Sequence, residues 1–323
     1  MLEGALTRRT AERLIETATA APSIYNSQPW RFVARLADRV IEIYADPTRT
    51  LRRGDPRGRA VHIACGSALF NLRLAVAQAG CEPMARLLPS RRDPLLLASV
   101  RLAGPYRPRP AERDLYAAIH RPVGRKPLTG HSPPRGLLLA LREAAALEGA
   151  SLRQLDQADV LPGIRGSRVH APGQRATGGA LAMRNFSPGP DGYPVPPAVF
   201  DAGAELVVIS TSAGDRASWL RAGQAAQRVL LLAAHRGLLA VPISPVPEVP
   251  DAPAHGEPAF DGEHPAMILR LGCGQQWPTV TRRPVAQVLR VVSPAGAPPG
   301  SVQQTADGGP HMPATQPVTA SSR

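Results

Sequence analysis

Two segments of this chain are built alike, and they limit what it can fold into. Gly66 to Gly80 reads GSALFNLRLAVAQAG and Gly223 to Gly237 reads GQAAQRVLLLAAHRG. Both glycine positions and three Ala/Leu positions between them coincide at one constant offset. Each segment is apolar on most sides, which is the pattern of a buried helix. A second pair, VRLAG ending at Gly104 and LRLG ending at Gly272, closes a strand at a similar offset. Two explanations fit. Ala/Leu-rich helices look alike by chance, or the chain holds two copies of one α+β unit packed as a pseudo-symmetric pair. In the second case a ligand favours the groove between the copies.

Ala21 to Phe32, APSIYNSQPWRF, stands between a short amphipathic helix and a strand. Pro22 and Pro29 bracket it and rule out a continuous helix. Between them lie Ser23, Asn26, Ser27 and Gln28. Asn and Gln amides each carry donors and an acceptor, so such a set can read a heterocycle with alternating donors and acceptors along one edge. The same residues also suit an ordinary helix-to-strand loop with turn-forming Asn and Ser and a packed Trp30.

Along the rest of the chain, hydrophobic spacing predicts a surface helix over Leu6 to Ala20 and a hairpin over Arg31 to Tyr44, turning at Ala37-Asp38. The first long apolar helix spans Ala60 to Gly80, with Gly80 as its C-cap. Strands follow at Met84 to Leu88 and Ala98 to Leu102. Helices are expected at Ala111 to His120, Pro134 to Leu147 and Ser218 to Gly237. Further strands are expected at Ser151 to Leu155, Glu205 to Thr211 and Ala266 to Leu271, and a last short element at Arg282 to Val292. Gly163 to Pro197 is rich in Gly and Pro with little period, as a covering loop or a disordered insertion is. From Ser293 onward the composition is that of a disordered tail.

The net charge of +13 is mostly arginine and permits a polyanion partner. The arginines are spread along the chain without a dense basic run and interleaved aromatics, which argues against nucleic acid. Cys65, Cys81 and Cys273 have no paired spacing, as expected of buried thiols in a reducing, cytoplasmic setting. No CxxC, HExxH or EF-hand loop occurs, so no metal site is expected. No apolar run is expected to span a membrane. The N-terminus, MLEGALTRRTAERL, reads as a polar helix and not a signal peptide.

The stretch APSIYNSQPWRF is similar to the APSxxNxQPW motif of the nitroreductase superfamily, and the wider order resembles its Acg branch, which fuses two nitroreductase-like halves. The matching landmarks, in order, are ADPTRTL…DPRGR at Ala45 to Arg59, ACGSALFNLRLA at Ala64 to Ala75, and AIHRPVGRKPL at Ala118 to Leu128. WLRAGQAAQRVLLLA at Trp219 to Ala233 and LRLG…TRRPVAQVL at Leu269 to Leu289 follow. The resemblance covers nearly everything up to Val292.

It implies an α+β, nitroreductase-like fold of two fused pseudo-symmetric halves, each with a mainly antiparallel sheet and long buried helices. The first half would run over residues 1–105 and the second over 106–292, with a lid at 163–197 and a tail at 293–323. It also implies one FMN per chain. Pro22, Ser23, Asn26 and Gln28 would surround the isoalloxazine, and Arg121 and Arg125 would grip the phosphate. The family pattern there is R-x-S/T-x-R/K, and here the hydroxyl position is Val123. Arg282 and Arg283 fall where the family has a further basic phosphate contact. A phosphate monoester suits planar Arg forks better than Lys.

The resemblance implies an NAD(P)H-dependent oxidoreductase acting on a small nitro- or quinone-like electron acceptor, as a monomer (a fused pseudo-dimer) or a homodimer. No catalytic side chain is expected, because the flavin carries the chemistry. A second reading is a protein that stores FMN beneath its lid with little turnover. A third is a basic polyanion-binding module.

Overall fold

A computed structural model describes residues 5–50, 55–119, 135–155, 205–243, 262–272 and 281–292. Helix α1 (Arg8–Thr19) is capped by the Thr7 side chain, which accepts from the Thr10 amide. It leads through the motif loop to a hairpin of β1 (Trp30–Arg35) and β2 (Val40–Ala45). Alternation sends Trp30, Phe32 and Ala34 inward and Arg31 outward. Arg39 adopts a positive φ at the hairpin turn.

Helix α2 (Arg59–Gln78) follows, then β3 (Cys81–Leu87) and β4 (Leu96–Pro105). Gly80 sits at φ +87° just beyond α2 and lets the chain reverse directly into β3. The first sheet has the order β3-β4-β2-β1 and is antiparallel to that point.

The second sheet is antiparallel throughout, in the order β5 (Ser151–Leu155), β6 (Glu205–Thr211), β8 (His264–Gly272), β7 (Leu239–Ile243). Helices α3 (Pro110–Ile119), α4 (Arg135–Ala146) and α5 (Arg216–His235) accompany it. Strand β7 was not foreseen. Its five residues LAVPI include Pro242, which lacks an amide hydrogen and is tolerated because β7 is the edge strand.

The short helix α6 (Val285–Val288) and β9 (Leu289–Val292) end the described chain. Strand β9 crosses to the other sheet and pairs in parallel with β1, Phe32 opposite Leu289. The C-terminal arm of the second half therefore completes the sheet of the first.

Helices α2 and α5 form the seam between the halves. A Cβ added to Gly66 would lie 2.2 Å from the Leu220 carbonyl oxygen, and one added to Gly223 would lie 2.1 Å from that of Ile63. The two contacts mirror each other across the echo seen in the sequence. The apolar cores mirror each other too: Leu220 of α5 packs into the first half's core, and Ile63 of α2 into the second's. Burying such a side chain contributes about 1.5–3 kcal/mol.

Ser67 Oγ donates across the seam to the Gly223 carbonyl at 3.0 Å, and Gln227 Nε2 to Asn71 Oδ1 at 2.9 Å. Beyond these, Glu148 receives Arg73 at 2.6 Å and Arg228 at 2.9 Å. The ring of Phe70 lies against both guanidinium groups.

The sequence suggested no run of membrane-spanning length, yet α2 reaches it: a helix of 20 residues that contains an 18-residue window of mean hydropathy 1.5. Its apolar window is 89% buried inside the protein, so the length serves the core. The expected segments 163–197 and 293–323 lie outside the described residues, as does Cys273.

Candidate functional site

The loop from Ala21 to Pro29 is folded by its own polar groups. Ser23 is extended and precedes a single 3-10 turn, Ile24–Asn26. Its hydroxyl accepts from the Gln28 amide at 3.0 Å and closes the loop on itself. That geometry sets Asn26 at φ +53° and Gln28 at φ +48°, a left-handed conformation that Asn tolerates and that is disfavoured for Gln. Ser23 and Gln28 are both 3% exposed. Trp30, just beyond the loop, is fully buried in the core.

Pro22, Ser23 and Ile24 form one wall of a narrow cleft that opens to solvent. Arg59, Ile63 and Ser67 line it from α2, Ala226 and Leu230 from α5, Pro242 from β7, and Ala266 and Met267 from β8. The cleft thus lies between the halves and takes residues from both. Its surface is mostly apolar, with small alanines where a flat ring can approach the helices closely. Arg59 supplies the positive charge in this lining.

The back of the loop meets the C-terminal arm. Asn26 Nδ2 donates to the Thr281 carbonyl at 2.9 Å, and Arg282 Nη1 donates to Asn26 Oδ1 at 3.0 Å. Arg282 Nη2 also donates to the Ala20 carbonyl at 3.0 Å. The Arg283 amide donates to Gln28 Oε1 at 2.8 Å. From the loop's other flank, Arg49 Nε donates to the Ser27 carbonyl at 2.6 Å.

Asp46 anchors this basic group, pairing with Arg31 at 2.8 Å and Arg283 at 3.7 Å. Burial pushes its carboxyl up, but hydrogen bonds from Thr48 and Arg31 outweigh that and hold it below the usual carboxylate range. Burial, with Arg49 and Arg31 nearby, pulls Arg283 below its ordinary value.

At the start of α2, Asp55 Oδ2 accepts from the Val61 amide, and His62 Nδ1 lies 2.6 Å from the Gly58 carbonyl. His62 Nε2 accepts from Arg216 Nε of α5 at 2.9 Å. Arg216 also bonds the Pro94 carbonyl, and the His62 ring meets Trp219 edge-on. These partners require a neutral, Nδ1-protonated imidazole. Burial above all, with the Arg216 charge, lowers the His62 pKa.

Burial likewise pushes the Cys65 thiol up, leaving it protonated and inert. No group of three or more metal-ligating side chains occurs among the described residues.

Of the residues singled out in the sequence, Pro22 and Ser23 line the cleft, while Asn26 and Gln28 engage the C-terminal arm. Arg282 and Arg283 reach the same loop from behind. Arg121 and Arg125 lie outside the described residues. Sequence reasoning missed Arg59, Leu230, Pro242 and Met267. The echo marked the helix that carries Leu230 but not its face, and no local pattern marked Pro242 or Met267.

A Mycobacterium tuberculosis protein named "Putative NAD(P)H nitroreductase" is 30% identical to this chain over 316 residues, which cover 87% of this chain and 91% of the relative. This chain belongs to the nitroreductase superfamily, in its Acg-like branch. A second protein of that organism, "Putative NAD(P)H nitroreductase acg", is 38% identical over 86 residues, 27% of this nitroreductase-family chain and 25% of the relative. The crystal structure of a "putative nitroreductase" from Anabaena variabilis shares the fold, with a TM-score of 0.50 and 13% identity over 83% of this chain and 88% of that one. No family model matches the chain.

The α+β, nitroreductase-like architecture expected from the sequence is thus the observed one. The cleft's lining is chemically compatible with a flat aromatic ligand: its walls are mostly apolar and carry small side chains.

Proposed function

We propose that this chain binds one FMN in the cleft between its halves and acts as an NAD(P)H-dependent oxidoreductase on small nitro- or quinone-like acceptors. The observation that carries this reading is the placement of Pro22 and Ser23, from the family motif, opposite α2, α5 and the second sheet in one cleft. The reciprocal Gly66/Gly223 contact supports a fused pseudo-dimer, in which a single chain supplies both walls.

When bound, the flavin supplies the hydride chemistry. The chain's part is to bind and orient it. Ile24, Leu230 and Met267 exclude water from the ring's faces, which strengthens polar contacts at its edge. Ser23, tied to the Gln28 amide, keeps the loop wall in place. Arg59 offers a positive charge within the lining. Arg121 and Arg125 are the phosphate contacts that the family motif proposes.

The test is the visible spectrum of the purified protein, before and after anaerobic NAD(P)H. A bound flavin that bleaches, and recovers with a quinone or nitroarene, supports the reductase. Bound flavin that NAD(P)H leaves yellow overturns turnover and leaves sequestration. A protein that cannot be loaded with FMN overturns both.

A further inference from the structure

The family resemblance assigns Arg282 and Arg283 to a ligand's phosphate, but their surroundings point elsewhere. Arg282 bridges two acceptors on the motif loop's back, Asn26 Oδ1 and the Ala20 carbonyl, both at 3.0 Å. Asn26 returns a bond to the Thr281 carbonyl, so both ends of its amide are engaged with the arm. The Arg283 amide holds Gln28 Oε1 at 2.8 Å, and its side chain is drawn to Asp46 and the Gln287 carbonyl.

Asn26 and Gln28 are the two residues of the loop in the left-handed region, which Asn tolerates but which a Gln adopts only with support from its surroundings. Gln28 in turn presents its amide to Ser23 Oγ, and Ser23 is a wall of the cleft.

We infer that Arg282 and Arg283 are positioning residues: through Asn26 and Gln28 they clasp the motif loop in the conformation that makes it a ring-binding wall. The inference rests on the flavin reading for its ligand, but the clasp itself is a property of the unliganded chain. It also has a topological basis. The arm reaches the loop because β9 pairs with β1, so closing the first sheet and clasping the loop are one event. A chain whose arm is displaced loses the ring wall even with its phosphate contacts intact.

A phosphate contact and a clasp predict different ligand dependence. FMN and riboflavin share the ring, and only FMN has the phosphate. Loss of the clasp weakens both by the same factor, roughly tenfold for a charged hydrogen bond to a part-buried loop.

The experiment titrates wild type, Arg282→Ala, Asn26→Ala and the double variant with FMN and with riboflavin, and measures amide hydrogen exchange of the ligand-free proteins. Arg282→Ala is expected to weaken both ligands equally and to speed exchange at the Gln28 amide. The double variant is expected to lose less than the product of the two single losses, because the Arg282–Asn26 bond is common to both. Loss of FMN affinity alone, multiplicative losses in the double variant, or unchanged exchange at Gln28 each overturn the inference.

If Arg282→Ala does not fold, Arg282→Lys keeps the charge but cannot fork between Asn26 and Ala20, and the same readouts apply. If the wild type binds neither ligand, the flavin reading fails while the exchange measurement still decides the clasp.

Discussion

Along the α2/α5 seam the halves touch backbone to backbone, with Gly66 and Gly223 each facing a carbonyl of the other helix. At the C-terminal arm they touch through guanidinium and amide groups laid over a partly exposed loop. The seam is set by shape: there is no room for one methyl group, and close-packed helices do not deform gradually. The clasp is set by directed hydrogen bonds on residues in a disfavoured conformation. The seam fixes where the cleft is, and the clasp fixes which groups the loop presents to it. Rigid packing and adjustable polar contacts are thus divided between the two places where the two sheets of the chain are tied together.

The contrast breaks first at the seam. Gly223→Ala is expected to cost at least about 3 kcal/mol, because the added carbon meets the Ile63 carbonyl on a packed helix and neither side can yield. Chemical denaturation reads this directly. A variant within 1 kcal/mol of wild type, on the scale of ordinary surface changes, would mean the helices are not in this contact.

The far end of the seam should be sensitive but less so. Glu148→Ala leaves Arg73 and Arg228 without their shared carboxylate. Breaking a buried pair costs about 3–5 kcal/mol. These two arginines remain 28% and 18% exposed, so water reduces the loss to about 2 kcal/mol. Glu148→Gln, which keeps an acceptor of the same shape, should recover part of it in the same denaturation experiment.

The smallest expected effect is in pH dependence. His62 joins the start of α2 to Arg216 of α5 as a neutral ring, and its folded pKa is depressed. In the unfolded chain an imidazole takes up its proton near pH 6.5, about where Arg216 and burial still resist it in the fold. The contribution of His62 is therefore fully present above about pH 6.5 and is lost as pH falls through that value toward the folded pKa. His62→Gln should flatten this part of a stability-versus-pH curve. An unchanged curve would assign the slope to other groups.

Much of the framework was legible in the residues. The period of apolar positions located helices α1 to α5 and all strands but β7 and β9, within a few residues at the ends; Arg282 to Val292 was expected only as one short element and holds both α6 and β9. The echo marked α2 and α5 as two buried helices of one kind; that Gly66 and Gly223 themselves meet came only from the structure. The APSIYNSQPWRF loop stood out in the sequence, and Pro22, Ser23 and Ile24 of it line the cleft. Strand β7 was missed because five residues interrupted by Pro242 carry too little alternation to register. The cleft's far wall was missed for a related reason: Pro242 and Met267 become neighbours only after two strands are aligned in a sheet.

The amino-acid sequence by itself determined the elements, the buried helices and the family. Those follow from local spacing and from motifs whose members lie close along the chain. Tertiary structure decided what the polar residues do. Asn26 and Gln28 have side chains able to read a ligand edge or to hold a neighbouring strand, and nothing in their local pattern separates the two. The arm of Thr281 to Val292 arrives from more than 250 residues away along the chain to occupy their amides. A hydrogen-bonding group takes the partner that the fold brings to it, and that partner is a property of topology.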